Sequence, residues 1–381
     1  MLKILCPACV RLVAITIKKI LMKRISILFL TCLLAYSGYV NGQGCAAPSS
    51  DEGVQVWGYI QPEFGAYFED ETRAAFQFRR MRVGVMGNIP YDFSYYVLLE
   101  TSQFLNPNQT GPFLLEGFIN YHRFGAFQQS LGAFKIPLSR ELAMPCFGLY
   151  TVRRSKVVDE LTANWVGGNR DLGFMILGGS DTTLFTYQLA ITNGTGVQYM
   201  DNNLLNTYML NGRMTVKPVK GLSLGFSGRY GSREPEDESV TENDTQYRWG
   251  VDAQYSLGGF TILGEYLSGN NEGSYLEGGG CDGIPVLRTG TKEADGGYLM
   301  AVYRFNNNLE PVYKIESYKT KTGEVSDTPG ALYEETSVCQ TFGLNYYPND
   351  WTRIQVNYIY AAETPREINN DAVLIQLQVR F

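Results

Sequence analysis

Asp371-Ala-Val-Leu-Ile-Gln-Leu-Gln-Val-Arg-Phe381 is the last stretch of the chain. Val373, Ile375, Leu377, Val379 and Phe381 share one face of it when extended, and Gln376, Gln378 and Arg380 lie on the other. A period of two marks a strand with one apolar and one wet side. Such a strand either packs on a second sheet or faces lipid. The choice depends on whether the rest of the chain repeats the pattern around a closed ring.

The composition suits a ring. Tyr (26) and Phe (20) are abundant, while charged residues make up only 18% of the 381. Mean hydropathy is slightly negative, which argues against a bundle of membrane helices. A barrel hides its apolar residues in alternation and has this unremarkable hydropathy.

Residues 1–42 are set apart. Lys23 and Arg24 precede an apolar run from Ile25 to Ala35, and Val40 and Gly42 occupy the −3 and −1 positions of a cleavage before Gln43. This reads as a secretory signal, too short to span a membrane. Met22 opens a normal signal by itself, so translation is expected to start there. Residues 43–53 are then a short extension, and 54–381 the barrel. Removing residues 1–42 takes away six basic and no acidic residues, leaving 26 Lys and Arg against 38 Asp and Glu. A mature net charge of −12 argues against nucleic-acid binding. Cys45, Cys146, Cys281 and Cys339 remain; export permits disulfides, and four cysteines allow three pairings.

Sixteen strand-like segments follow, with no long helical pattern. The first five are Val54–Phe68, Phe76–Gly87, Phe93–Thr101, Leu114–Phe124 and Gln128–Ile136. Later ones include Phe260–Tyr266, Tyr298–Phe305, Pro311–Tyr318 and Val338–Tyr346. Short connections rich in Gly, Pro, Asn and Asp alternate with longer ones such as Pro137–Asn169, Leu267–Gly297 and Lys319–Ser337. Many strands end on or beside an aromatic, among them Tyr230, Tyr247, Tyr266, Tyr346 and Trp351, as girdles at lipid interfaces require. The expected fold is all-β: a 16-stranded antiparallel transmembrane β-barrel with a long inward loop after the fifth strand.

Energy assigns the faces. An Arg on the lipid side near mid-membrane costs roughly 2–4 kcal/mol. Arg80 and Arg82 therefore belong in the lumen. The same alternation places Glu116, Asn120, His122, Arg213, Arg229, Arg248, Asp252, Glu265, Lys314, Glu316, Arg353 and Gln355 inside. That lumen is expected to be wet. Pro137–Asn169 is the longest connection and carries Arg140, Arg153, Arg154 and Lys156, with Lys135 just before it and Arg170 just after. Cations in a low-dielectric constriction attract anions. Glu141, Asp159 and Glu160 in the same segment oppose that effect. The acidic run Glu234–Asp244 falls in another loop and is expected to face outside solvent.

Gly132-Ala-Phe-Lys135-Ile-Pro137-Leu-Ser139-Arg140-Glu141 resembles the Gly-x-Phe-Lys-x-Pro-x-Ser-x-Glu stretch of the phosphate-selective porin O and P family. Phe78 to Gly87 resembles its second-strand motif, and Arg170-Asp-Leu-Gly173 and Asn193-Gly-Thr-Gly196 resemble two further signatures. The resemblance implies a sixteen-strand outer-membrane barrel, commonly a homotrimer, passing phosphate or other small anions through a basic constriction. Arg80, Arg82, Lys135, Arg140, Arg153, Arg154, Lys156, Arg170 and Arg213 are the candidate constriction residues. Interior carboxylates are interspersed among them, so a non-selective small-solute porin stays open, as does a surface or structural barrel acting through its loops. No catalytic motif is found: His122 is the only histidine and has no nucleophile motif beside it. No cofactor or metal spacing is present, and no nucleic-acid partner is expected.

Overall fold

The computed structural model describes residues 54–69, 71–89, 91–102, 112–164, 169–194, 196, 207–233, 243–277, 286–324, 332–365 and 367–381. The expected signal and extension, Cys45, Cys281 and most of the acidic run lie outside the described residues.

Sixteen strands appear in chain order: β1 (Val54–Phe68), β2 (Arg73–Ile89), β3 (Phe93–Glu100), β4 (Phe113–Phe124), β5 (Phe127–Lys135), β6 (Arg170–Gly178), β7 (Phe185–Thr192), β8 (Met209–Val216), β9 (Leu222–Arg233), β10 (Asp244–Leu257), β11 (Phe260–Glu277), β12 (Val286–Tyr303), β13 (Leu309–Glu324), β14 (Leu332–Asn349), β15 (Thr352–Thr364) and β16 (Asp371–Arg380). Each pairs antiparallel with its chain neighbours, and β1 pairs with β16 to close the barrel. The turn between β10 and β11 is two residues, Gly258-Gly259. Gly258 has φ 58°, a conformation that tight hairpins need and that glycine adopts without a Cβ penalty.

The last strand has the orientation its alternation predicts. Ile375 and Leu377 are each 41% exposed on the outside, while Gln376 (1%) and Gln378 (3%) are buried inside. Gly58 and Phe381 form the closing seam. The Gly58 N–H donates to the Phe381 carbonyl at 2.8 Å, and the Phe381 N–H returns the bond at 3.0 Å. The Phe381 ring lies over Gly58: a Cβ there would come within 2.6 Å of both the ring and the Arg82 carbonyl oxygen.

Two sequence expectations need correcting. The stretches read as loops at Leu267–Gly297 and Lys319–Ser337 are largely wall: β11 pairs with β12 out to Glu277↔Val286, and β13 with β14 out to Gly323↔Leu332. Their sequences mix Asn, Glu, Lys, Thr and Gly on both faces. The hydrophobic period ends where the wall leaves the hydrocarbon, while backbone pairing continues. The lumen is also not wet throughout. Leu263, Leu267, Tyr298, Met300, Val302 and Val312 on β11–β13 point inward and pack against Ile136, Leu138, Leu142, Val157, Val158 and Leu161 of the segment between β5 and β6. The unbroken apolar run Tyr298–Tyr303 is the signal: a strand with apolar groups on both its outer and inner faces reads this way.

The β5–β6 segment is thus folded onto the inner wall. It holds two one-turn helices, α1 (Arg140–Ala143) and α2 (Lys156–Asp159), and a tight 3₁₀ turn, Cys146–Gly148. Each fully buried aliphatic side chain contributes roughly 1.5–3 kcal/mol to docking. Polar contacts set the register. Ser139, at φ 71°, caps α1 by accepting the Leu142 N–H on Oγ. Glu265 of β11 accepts bonds from Ser139 Oγ (3.0 Å), Arg140 N–H (2.8 Å) and Glu141 N–H (3.2 Å). A carboxylate meeting the free N–H groups at the start of a turn of helix is a favourable pairing. Farther along, Val152 N–H donates to Asn357 Oδ1 at 2.8 Å, and Arg353 Nη1 donates to the Leu149 carbonyl at 2.8 Å.

Glu141 is buried within this segment and accepts the Ser155 N–H at 2.8 Å. Burial pushes its carboxyl up to about 7, against the opposing pull of Lys314, the Ser155 bond and Arg154, with Glu316 adding to the rise. The docked state therefore favours the protonated acid. Its contribution is complete below the ordinary Glu value, is lost as pH climbs to about 7, and is flat above.

Three outcomes are expected. Gly58→Val overpacks the seam, so the refolded fraction falls in heat-modifiability gels, since such strain costs about 1–3 kcal/mol. Glu265→Ala removes charged hydrogen bonds worth roughly 1.5–3 kcal/mol each, so the segment becomes protease-sensitive and single-channel conductance rises. Proteolysis of the wild-type segment should quicken between pH 5 and 7, and Glu141→Gln should flatten that dependence.

Candidate functional site: the cations of the constriction

The nine candidate cations do not form one ring. Arg140 and Arg213 share a single carboxylate: Arg140 Nε lies 2.6 Å from Asp252 Oδ1, and Arg213 Nη1 lies 2.6 Å from Oδ2. Arg140 is held further by Gln254 Oε1 (3.0 Å) and Ser223 Oγ (2.8 Å). Arg153 reaches the opposite wall, where its guanidinium forks onto Glu63, one arm at 2.7 Å. Lys156 stands apart, 3.9 Å from Glu335 and over the Tyr318 ring.

The other five gather where the segment meets β2 and β5. Arg82 Nε pairs with Glu100 at 2.7 Å, and its Nη1 donates to Tyr59 Oη (2.8 Å) and to Cys146 Sγ (3.2 Å). Arg154 Nη2 donates to the same sulfur at 3.2 Å, with Asp159 4.0 Å from its Nη1. Arg170 pairs with Glu116 at 2.7 Å. Arg80 Nη1 donates to Gln61 Oε1 at 3.1 Å, and Lys135 Nζ donates to the Met144 carbonyl at 3.0 Å. Among the described residues, neither Arg80 nor Lys135 has a carboxylate within ion-pair distance. Both are buried, 6% and 5% exposed, so their charge is only weakly screened by water.

Local structure explains the grouping. On β2 the alternate positions Arg80 and Arg82 face inward, and β1 sets Gln61 and Tyr59 opposite them by register. The Cys146–Gly148 turn is held by Phe147, whose ring meets Tyr59 edge-on at 5.6 Å. A cavity of about 180 Å³ runs from Lys135, Ile136 and Ala143 along the inner wall past Gln188 and Arg213 to Ser180 and Asp181 at the short-turn rim. Lys135 thus borders both the cation group and this cavity.

In the sequence Cys146 reads only as a possible disulfide partner. Cys146 and Cys339 are both free thiols. The contact of Cys146 with Arg154 is within the segment, but its contact with Arg82 crosses 64 residues. Glu63 and Glu265, which anchor the segment, carried no sequence signal beyond inward alternation.

The family of phosphate-selective porins O and P matches residues 54–381. No curated protein sequence matches. Solved structures share the fold at low identity. The anion-selective porin from Comamonas acidovorans aligns at TM-score 0.61 and 10% identity, covering 86% of this chain and 98% of that one. In-vitro folded OmpT of Vibrio cholerae, in its trimer form, aligns at 0.59 and 10%, covering 86% and 99%. Salmonella typhi OmpF, in complex with daunomycin, aligns at 0.59 and 12%, covering 90% and 100%. A closed sixteen-strand barrel with a segment folded into its lumen is the architecture of a porin, and the match along 54–381 makes the assignment specific: this chain belongs to the phosphate-selective porin O and P family.

Proposed function

We propose that the protein is a passive outer-membrane channel for small anions, phosphate or similar, exported by the signal in residues 1–42 and assembled as a homotrimer. The observation that carries the anion preference is the pair Arg80 and Lys135: buried cations without a carboxylate partner among the described residues, one of them bordering the lumenal cavity. A dehydrating anion finds there the charge that the protein leaves uncompensated. Arg82, Arg154 and Arg170 reinforce the field, and Arg213 meets the same path lower down, half-neutralised by sharing Asp252 with Arg140. Arg153 and Lys156 act on the segment's position more than on the solute.

A non-selective small-solute porin is the second reading. It is favoured by the ion pairing of seven of the nine candidates, which spends most of their charge within the protein.

Reversal potentials in a salt gradient distinguish the two. Wild type is expected to favour anions. A unit charge about 4 Å from an ion is worth ~1 kcal/mol even in bulk water. Lys135→Gln or Arg80→Gln should therefore cut the anion-to-cation permeability ratio roughly fivefold, and Lys135→Glu more. An unselective wild type, or no shift in any variant, would leave the second reading standing. Conductance in chloride against phosphate then identifies the preferred anion.

A further inference from the structure

We propose that the cavity beside β6–β8 is a binding subsite for a small anion that carries its own hydroxyl groups, a phosphate ester of a short polyol. The inference rests on the anion reading given above and names the class of solute that this part of the lumen takes.

A row of polar groups on β7 and β8 has nothing in the protein to bond. Register sets Gln188 opposite Arg213 and Thr186 opposite Thr215. All four line the cavity. Thr186, Gln188 and Thr215 are half-buried, and among the described residues their side chains make no hydrogen bond. Elsewhere the inner wall pairs such groups with one another. Ser130 Oγ donates to Asn120 Oδ1 at 2.8 Å, Gln61 Nε2 to Gln378 Oε1 at 2.7 Å, and Gln355 Nε2 to Asn345 Oδ1 at 3.0 Å. A partly buried hydroxyl or amide left open in this way is satisfied by water or by a solute.

Charge stands at one end of the row. Lys135 and Arg213 border the same cavity and are 5% and 7% exposed. Lys135 gives an N–H to the Met144 carbonyl at 3.0 Å, a neutral acceptor, and an ammonium has further donors to offer. Arg213 meets Asp252 at 2.6 Å, but that carboxylate is shared with Arg140. At the other end Asp181 is matched by Lys217 at 3.1 Å, which reduces its repulsion of an anion.

The space fits a solute longer than a bare oxyanion. Ile136, Ala143 and Leu177 give the cavity apolar surface, and sites for small solutes combine such surface with a few placed polar groups. At ~30 Å³ for each water, its volume of about 180 Å³ holds about six. The Thr186–Thr215 pair lies two residues beyond the Gln188–Arg213 pair, about 7 Å along the strands. An ester whose phosphate meets Lys135 and Arg213 lays its carbons on the apolar lining and brings its far hydroxyls to the two threonines. Gln188, level with Arg213, serves the hydroxyl nearest the phosphate.

The test compares two esters that differ in their hydroxyls. The full barrel carries a chloride current in planar bilayers at about pH 8, where phosphate monoesters bear nearly two charges. Glycerol 3-phosphate and n-propyl phosphate are added separately, and the half-blocking concentration of each is read from the current. The expected value for glycerol 3-phosphate is at least about fivefold lower, as two added hydrogen bonds predict. Thr186→Val combined with Thr215→Val should bring the ratio close to one, and Gln188→Leu should lower it. Equal block by the two esters in wild type overturns the inference, as does a wild-type ratio kept by both variants. The wild-type comparison needs no variant to fold. Reversal potentials from the same bilayers separate the two claims. An anion-selective pore that does not distinguish the esters overturns this inference alone. A pore without anion preference, blocked by neither ester, overturns the reading beneath it as well.

Discussion

A backbone N–H or C=O left without a partner in hydrocarbon costs several kcal/mol, and a sheet with two free edges carries a whole row of them. Ring closure is the solution here, and the rest of the structure depends on the β1–β16 ladder that provides it. The seam is where local chemistry looks least ordinary. The Phe381 ring covers a bare Gly58, so two strands far apart in sequence meet without a side chain between ring and backbone. Fifteen ladders join strands that are neighbours in the chain; only this one closes the ends of a chain of more than three hundred residues.

Closure creates an interior, and the segment between β5 and β6 decides what kind. Its docking combines two unlike forces. Aliphatic side chains from Ile136 to Leu161 pack onto the dry inner wall of β11–β13, which gives adhesion without direction. Glu265, Asn357, Arg353 and Glu63 then fix the register through hydrogen bonds that reach loop groups on several sides of the barrel. A segment tied at so many separate walls behaves as part of the barrel, and it leaves a cavity beside β6–β8.

The lumenal charges accordingly do two jobs. Arg140, Arg153 and Arg213 are spent largely on structure, each matched to a carboxylate of the wall. Arg80 and Lys135 are held by neutral acceptors instead, the Gln61 amide oxygen and the Met144 carbonyl, which leave their charge unneutralised. Paired and unpaired cations thus lie close together in one lumen, and a residue count cannot separate them. Net charge describes the whole surface, while a solute in the lumen meets only the few groups it passes.

The barrel was legible in the sequence because lipid imposes a simple rule on every strand it touches. Alternation from Ile375 to Gln378, turn residues at regular spacing, and the cost of an arginine facing lipid were enough to set strand number, face and the inward direction of Arg80 and Arg82. Where lipid ends, the rule ends, and so the outer halves of β11–β14 read as loops although their backbones stay paired. The inner face has no such rule: water, a packed segment or a counter-charge can each satisfy it. Which cations pair with which carboxylates, that Met300 and Val302 hold a docked segment, and that Cys146 lies between Arg82 and Arg154 are contacts across the lumen. Only the folded ring, by fixing distances between residues remote in sequence, could decide them.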